Sequence, residues 1–147
     1  MTVSADALHI VCPHCHTTNR VRVADLHNDP DCGQCHQALF DGHPLALDAA
    51  SFDKHIGRNQ IPVLVDFWAE WCGPCRAIGP VVEELSKEFE GRVNVGKVNV
   101  DHNPQLSMNY GITSIPAILF IKNGQVVDKL VGAQPKHSFV KKIESHI

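Results

Sequence analysis

Six cysteines carry the clearest chemistry in this chain, and they fall into three Cys-x-x-Cys pairs: Cys12 with Cys15, Cys32 with Cys35, and Cys72 with Cys75. Two thiols at that spacing either cycle with a disulfide or offer two sulfur ligands to a metal. Their surroundings separate the two uses. Cys72 and Cys75 follow an apolar run, Pro62-Val63-Leu64-Val65-Asp66-Phe67, and precede a segment, Arg76 to Phe89, with helical periodicity. At a helix N-terminus, free N–H groups and the dipole favour an anion, so the Cys72 thiolate should form more readily than that of a free thiol, whose pKa is about 8.5. Cys72 is therefore the candidate nucleophile. Cys75 lies one turn further in, shielded by the helix, and is the candidate resolving thiol. Pro74 suits a first helical turn, and Gly73 leaves room for a partner backbone.

The other two pairs lie close together, with sixteen residues, His16 to Asp31, between them. Two such knuckles match the ligand pattern of a tetrahedral zinc site, so Cys12, Cys15, Cys32 and Cys35 are the candidate ligands for one Zn2+. Thiolates suit zinc, and about 40 residues are too few to build a sufficient core without such help. Two disulfides, a redox-switching set and an iron–sulfur centre are the alternatives. Gly33 is expected to supply the permissive backbone of the second knuckle. His14, His16 and His36 read as exposed neighbours, since four thiolates already complete a structural site.

Further residues stand out around the third pair. Asp66 interrupts a buried apolar run, which is costly for a carboxylate and should raise its pKa. Two readings are open: a general base that takes the Cys75 proton, or an aspartate satisfied by nearby backbone donors or water. Trp68 reads as core, and Trp71, beside Cys72, as an exposed apolar rim for docking partners. Ile115-Pro116 precedes a strand. A cis bond there would let the Ile115 backbone pair with an extended substrate, although only about 5% of X-Pro bonds are cis.

These groups need a scaffold, and the hydrophobic pattern supplies one. Residues 1 to about 9 show no periodicity and should fray. Ile10–Cys15, Asn19–Val23 and Ala38–Phe40 read as short strands, and Asp41-Gly42-His43-Pro44 as a boundary turn. Beyond it come a strand at Leu45–Leu47, one or two helical turns over Ser51–Ile56, the strand Pro62–Phe67, and a helix over Gly73–Phe89 that Pro80 should kink. Then follow a strand over Val93–Val100, a short helix over Pro104–Tyr110, the strands Ala117–Ile121 and Val126–Val131 around an Asn123-Gly124 turn, and a closing helix over Pro135–Ile147. Strands alternating with helices, then a final hairpin, imply an α/β unit with a mixed sheet flanked by helices. The expected domains are 1–42, a metal ribbon, and 43–147, the redox domain.

Composition narrows the function. A chain of 147 residues has room for one domain plus a small module. A formal net charge of -3 supplies no field to recruit nucleic acid or an anionic membrane. No apolar run reaches the length of a membrane span. Met1–His9 has neither a basic start nor an apolar core, so no secretory signal is read there and a cytoplasmic location is expected. In that compartment structural disulfides are rare, which favours metal and redox roles for the cysteines.

Trp68-Ala69-Glu70-Trp71-Cys72-Gly73-Pro74-Cys75, together with Asp66, Pro80, Lys97, Ile115-Pro116, Gly124 and Gly132, resembles the thioredoxin family over roughly residues 45–147. The two N-terminal knuckles extend the resemblance to the zinc-containing bacterial thioredoxins. It implies a thioredoxin fold and an N-terminal zinc ribbon, with Cys72 as nucleophile, Cys75 as resolving thiol, Asp66 as proton relay, Lys97 modulating Asp66, and a cis bond at Pro116. It implies docking of substrates around Trp71, Gly73, Pro74, Ile115 and Gly132. Ala117 departs from the family, many of whose members carry Thr there. The implied activity is protein-disulfide reduction by a monomeric electron carrier with no bound organic cofactor, re-reduced by an NADPH-dependent thioredoxin reductase and acting on oxidised proteins. The rival reading is a zinc-dependent binding module or redox-triggered chaperone, which has no need of both Cys72 and Cys75.

Overall fold

The computed structural model describes residues 6–147. An N-terminal hairpin pairs β1 (Ala7–Val11) antiparallel with β2 (Thr18–Arg22). After a 3-10 turn at Val23–Asp25 and a loop, the chain enters a larger unit. That unit comprises β3 (Leu45–Ala46), α1 (Ala49–Arg58), β4 (Val63–Trp68), α2 (Gly73–Glu88), β5 (Asn94–Asn99), α3 (Pro104–Asn109), β6 (Ala117–Lys122), β7 (Gln125–Val131) and α4 (Lys136–Glu144). Its sheet runs in the order β3-β5-β4-β6-β7. Strand β4 is parallel to β5 and antiparallel to β6, so the sheet is mixed, as the alternation of elements implied.

The apolar run from Val63 explains why β4 is central. Alternate side chains on a strand face opposite ways, so a continuous apolar run needs cover on both faces. Val63, Val65 and Phe67 pack with Phe52 and Ile56 of α1. Leu64 packs on the other face with Ile78, Val82 and Leu85 of α2 and with Phe139 and Ile143 of α4. Asp66 and Trp68 share the Leu64 face by the same alternation. The redox pair follows directly, because β4 ends at Trp68 and α2 begins at Gly73.

Several element bounds differ from the sequence reading. The expected frayed start falls partly outside the described residues, but Ala7, Leu8 and His9 are paired with Arg22, Val21 and Arg20 in β1. Residues 38–40 form no strand; Ala38 makes an isolated bridge with Asp31, and Leu39 N–H donates to the Pro30 carbonyl at 3.0 Å. Helix α1 is longer than one or two turns because Asp48 caps it: Ser51 N–H donates to Asp48 Oδ1 at 2.9 Å and Asp48 N–H donates to Ser51 Oγ at 3.2 Å. No helix of the described residues is long and apolar enough to cross a membrane.

The N-terminal hairpin is spliced onto the linker between α1 and β4. Val11 N–H donates to Asn59 Oδ1 at 2.7 Å, and Asn59 Nδ2 donates to the His55 carbonyl at 2.9 Å. Gln60 N–H donates to the His9 carbonyl at 2.9 Å, and His9 N–H donates to Gln60 Oε1 at 2.7 Å. Ile61 is buried in the small core of Ile10, Val21, Leu26 and Leu39. His16 Nδ1 lies 2.8 Å from His55 Nε2. Burial, with added repulsion from His16 and Lys54, pushes His55 down to about 4, so its ring is neutral at physiological pH.

Asn59 is buried and uses both ends of its amide in this splice. Asn59→Ala should destabilise the protein by about 2 kcal/mol, because it leaves the buried Val11 N–H without a partner. Denaturant titration measures the loss, and the Val11 amide should lose hydrogen-exchange protection more than amides of β4. Unchanged protection at Val11 would contradict the splice.

Candidate active site and candidate metal centre

Between β4 and α2 the chain turns tightly, with Cys72 N–H donating to the Ala69 carbonyl at 3.2 Å. Arg76 Nη1 donates to the Glu70 carbonyl at 2.7 Å and ties the turn to the first part of α2. Cys72 is the N-cap of α2 and is joined to Cys75 by a disulfide, with Cα atoms 5.2 Å apart. Cys75 N–H points at Cys72 Sγ from 3.2 Å, so the helix N-terminus converges on this sulfur. Both residues are 4 % exposed, so shielding does not distinguish them in the disulfide form. Position does: Cys72 Sγ faces the Ile115 carbonyl at 3.8 Å, while Cys75 lies on the buried row of α2 with Ile78 and Val82.

The residues expected to rim the pair are largely brought to it. The Ile115–Pro116 bond is cis, as the resemblance implied. Gly132 reaches the same edge: its N–H donates to the Pro116 carbonyl at 2.8 Å, and its φ of 90° suits glycine. Gly73 and Pro74 are exposed beside the disulfide. Trp71 is 68 % exposed, and its Nε1–H donates to Asp101 Oδ2 at 2.8 Å. Asp101 was not singled out in the sequence. It follows β5, and the Asp101 and His102 N–H groups both donate to Asn99 Oδ1, so the turn holds the carboxylate up to the indole. No local pattern marks a contact that spans thirty residues.

Asp66 is 1 % exposed, and neither carboxylate oxygen has a hydrogen-bond partner. Of the two kinds of donor that could satisfy it, backbone and water, the fold provides no backbone donor. Burial drives its carboxyl up to about 6, against a downward pull from Lys97. Lys97 is the register partner of Asp66 on β5, yet its ammonium lies over the Trp68 ring, 4.6 Å from the centroid. Trp68 is only partly buried, and it clusters with Ala69, Cys72, Cys75, Val100 and Ile115.

The other four cysteines meet at one point, with all four Sγ atoms within 4.8 Å of one another. Two pairs cross between the knuckles: Cys12 to Cys35 at 3.7 Å and Cys15 to Cys32 at 3.6 Å. A tetrahedron with Zn–S bonds of about 2.3 Å has edges of about 3.8 Å, so the sulfurs already stand near that arrangement. The two knuckles share one backbone plan. His16 N–H donates to the Cys12 carbonyl at 3.0 Å and His36 N–H to the Cys32 carbonyl at 2.9 Å. Amides also point at sulfur: His14 and Cys15 donate to Cys12 Sγ, and Gln34 and Asn19 to Cys32 Sγ. Such bonds support metal-bound thiolates.

Two expectations here are corrected. Gly33 does not supply the permissive backbone; the left-handed residues are His16 at φ 63° and His36 at φ 64°, just after each knuckle. Gly33 instead donates its N–H to Asn19 Oδ1 at 2.9 Å. His14 and His36 are exposed as expected, but His16 is partly buried against His55. A histidine after Cys-x-x-Cys carries no sequence sign that its backbone, rather than its ring, shapes the turn.

Comparison with known proteins places this geometry. The family model described as Thioredoxin matches residues 43–145. The chain belongs to the thioredoxin family. A second model, described as Thioredoxin 2, N-terminal, matches residues 11–37, which contain all four clustered cysteines. A thioredoxin from Chlorobaculum thiosulfatiphilum is 52% identical over 97 residues, covering 66% of this chain and 90% of that protein. Thioredoxin 1 from Nostoc sp. is 48% identical over 98 residues, covering 67% of this chain and 92% of its own length. A solved mutant thioredoxin from Halobacterium salinarum superposes with a TM-score of 0.67 at 34% identity, covering 71% of this chain and 91% of that one. The protein is thus a thiol-disulfide oxidoreductase with a thioredoxin fold and an appended ribbon of the thioredoxin 2 type.

The buried carboxyl makes stability depend on pH. Folded Asp66 titrates at about 6 against an ordinary value of 3.8, so the folded state holds the proton more tightly. Stability from this group is full below pH 4, falls as pH rises to about 6, and is level above; the interval is worth about 3 kcal/mol. Asp66→Asn should therefore be more stable than wild type at pH 8, by up to about 3 kcal/mol, with the gap closing near pH 4. Guanidinium unfolding of the oxidised proteins at pH 4, 6 and 8 measures it. A gap that does not change with pH would assign the cost to something other than the carboxylate.

Proposed function

We propose that this protein is a cytoplasmic protein-disulfide reductase, working as a monomeric electron carrier between an NADPH-dependent thioredoxin reductase and oxidised proteins. The observation that carries the reading is the Cys72–Cys75 pair at the start of α2 with the buried, unpartnered Asp66 on the face that α2 covers. In the reduced protein, the Cys72 thiolate attacks one sulfur of a substrate disulfide. A mixed disulfide forms, and the other substrate sulfur leaves as a thiolate. Asp66 accepts the Cys75 proton, and the Cys75 thiolate attacks Cys72 Sγ. The second substrate thiolate departs and the Cys72–Cys75 disulfide closes, so two electrons have passed to the substrate. Two electrons delivered by the reductase reopen it.

Trp71, Gly73, Pro74, Ile115 and Gly132 form the docking rim. The exposed indole of Trp71 offers apolar surface, and the Ile115 backbone beside Cys72 Sγ offers hydrogen bonds to an extended substrate. Lys97 tempers the Asp66 charge from the neighbouring strand. Residues 1–42 are the ribbon and 43–147 the redox domain. Neither nucleic acid nor membrane is a partner of this function.

In the ribbon, Cys12, Cys15, Cys32 and Cys35 hold one Zn2+ as four thiolates. When bound, the ion supplies a redox-inert crosslink between the knuckles. A regulatory reading, in which oxidants release the metal, rests on the same four sulfurs. Cobalt substitution tests the ligand set. Wild type should bind one equivalent with intense sulfur-to-metal charge transfer, and Cys12→Ser should bind at least tenfold more weakly. Absence of charge transfer in the wild type would remove the thiolate site.

Insulin reduction coupled to NADPH through thioredoxin reductase tests the main reading. Wild type should turn over, Cys72→Ser should lose activity by more than 1000-fold, and Asp66→Asn should slow the resolving step at pH 7 by about 10-fold or more. No turnover by wild type would sink the reductase assignment. Holdase activity that appears only after metal loss would favour the binding-module reading.

A further inference from the structure

Lys97 and Asp66 stand directly opposite each other in the parallel register of β5 and β4. Both side chains project to the face that α2 covers, where Leu64 and Val95 lie two residues before them. Opposite charges facing across neighbouring strands ordinarily pair. No ion pair joins these two among the described residues, and both Asp66 oxygens are without a hydrogen-bond partner. The Lys97 ammonium lies instead over Trp68, 4.6 Å from the ring centroid, well inside cation–π range. Trp68 is two residues beyond Asp66 on the same strand and so faces the same way. Its backbone is held by Val100, whose N–H donates to the Trp68 carbonyl at 2.9 Å, and its ring packs in the cluster that contains Cys72 and Cys75.

We propose that Trp68 is a positioning residue for Asp66: its indole face holds the Lys97 ammonium aside and keeps it from closing on the carboxylate. The carboxylate is left in a desolvated site with its counter-charge near but unbonded. It then has reason to take up a proton from a thiol and to release it again. A closed ion pair would hold Asp66 ionised and weaken it as a base. Lys97 from β5 is the charged group that acts on the Asp66 carboxyl; β6 presents Ile118 opposite it, and α2 and α4 bury Ile78, Val82, Phe139 and Ile143 on this face. The consequence for catalysis rests on the reading of Asp66 as the Cys75 proton acceptor, while the placement of Lys97 does not.

The experiment is a carbon-13 NMR titration of the Asp66 carboxyl in the oxidised protein, where the Cys72–Cys75 disulfide removes both thiols from the titration. Trp68→Leu should lower the Asp66 midpoint by about one pH unit as Lys97 swings across. Trp68→Phe keeps a ring and should stay closer to wild type. Trp68→Leu combined with Lys97→Gln should recover the wild-type midpoint or exceed it. An unchanged midpoint in Trp68→Leu would overturn the proposal. So would a lowered midpoint that persists in the double variant, since added hydration of the carboxylate would then be the cause. If Trp68→Leu does not fold, Trp68→Met, which also lacks a ring, takes its place, and its lowering must again vanish with Lys97→Gln. The pH profile of the resolving step in a single turnover separates the two readings. A profile that follows the NMR midpoint supports both. A profile indifferent to Asp66→Asn, with the NMR shift intact, removes Asp66 as the base and leaves Trp68 positioning Lys97.

Discussion

Strand β4 is buried on both faces, and the five-stranded unit follows from the need to cover it. Its apolar residues alternate between two cores, one under α1 and one under α2 and α4. That double cover desolvates whatever the strand carries. A carboxyl at Asp66 is pushed up to about 6 for this reason, not through any specific bond. The same cover fixes where α2 starts, because the helix must lie across β4 to bury Ile78, Val82 and Leu85. The disulfide therefore sits at the end of the strand and the acid within it. One packing constraint places both the disulfide and the buried carboxyl.

The ribbon solves a different problem with different means. Its core of Ile10, Val21, Leu26 and Leu39 is small, and it borrows Ile61 from the larger unit. The two knuckles repeat one backbone plan, so the sulfurs converge from two symmetric turns. Amide groups directed at Cys32 Sγ hold that thiol down to about 6, whereas at Cys12 burial outweighs the amides and pushes the thiol up to about 12. Asn59 closes the gap between the units with a buried amide that leaves neither side unpaired.

What was legible in the sequence is what local pattern encodes. The run at Val63–Phe67, the helix after Cys72, the three cysteine pairs and the Asn123-Gly124 turn are short-range signals, and the corresponding elements are present. The cis bond before Pro116 came from family resemblance, since neither neighbouring residue dictates it. Asp101, Asn59 and the His16–His55 pair were missed because each acts through a partner thirty or more residues away. The early start of β1 was missed because Ala7-Leu8-His9 is weakly patterned and gains its place from pairing with β2. Residues 38–40 look strand-like through Leu39 and Phe40, yet Leu39 fills the ribbon core from a loop. Composition marks burial there, not the ladder that defines a strand.

The splice at Asn59 and Gln60 joins the ribbon to the linker that leads into β4, while the disulfide lies beyond its far end. The six residues of β4, about 20 Å of extended chain, stand between them. Sulfur exchange needs atoms in contact, so Cys72 has no path to Cys12, Cys15, Cys32 or Cys35 of its own chain while the fold is intact. Direct thiol–disulfide exchange between the two kinds of cysteine must therefore run from one protein molecule to another. Such traffic would be second order in protein, rising with the square of its concentration, and a dilute cell extract would understate it.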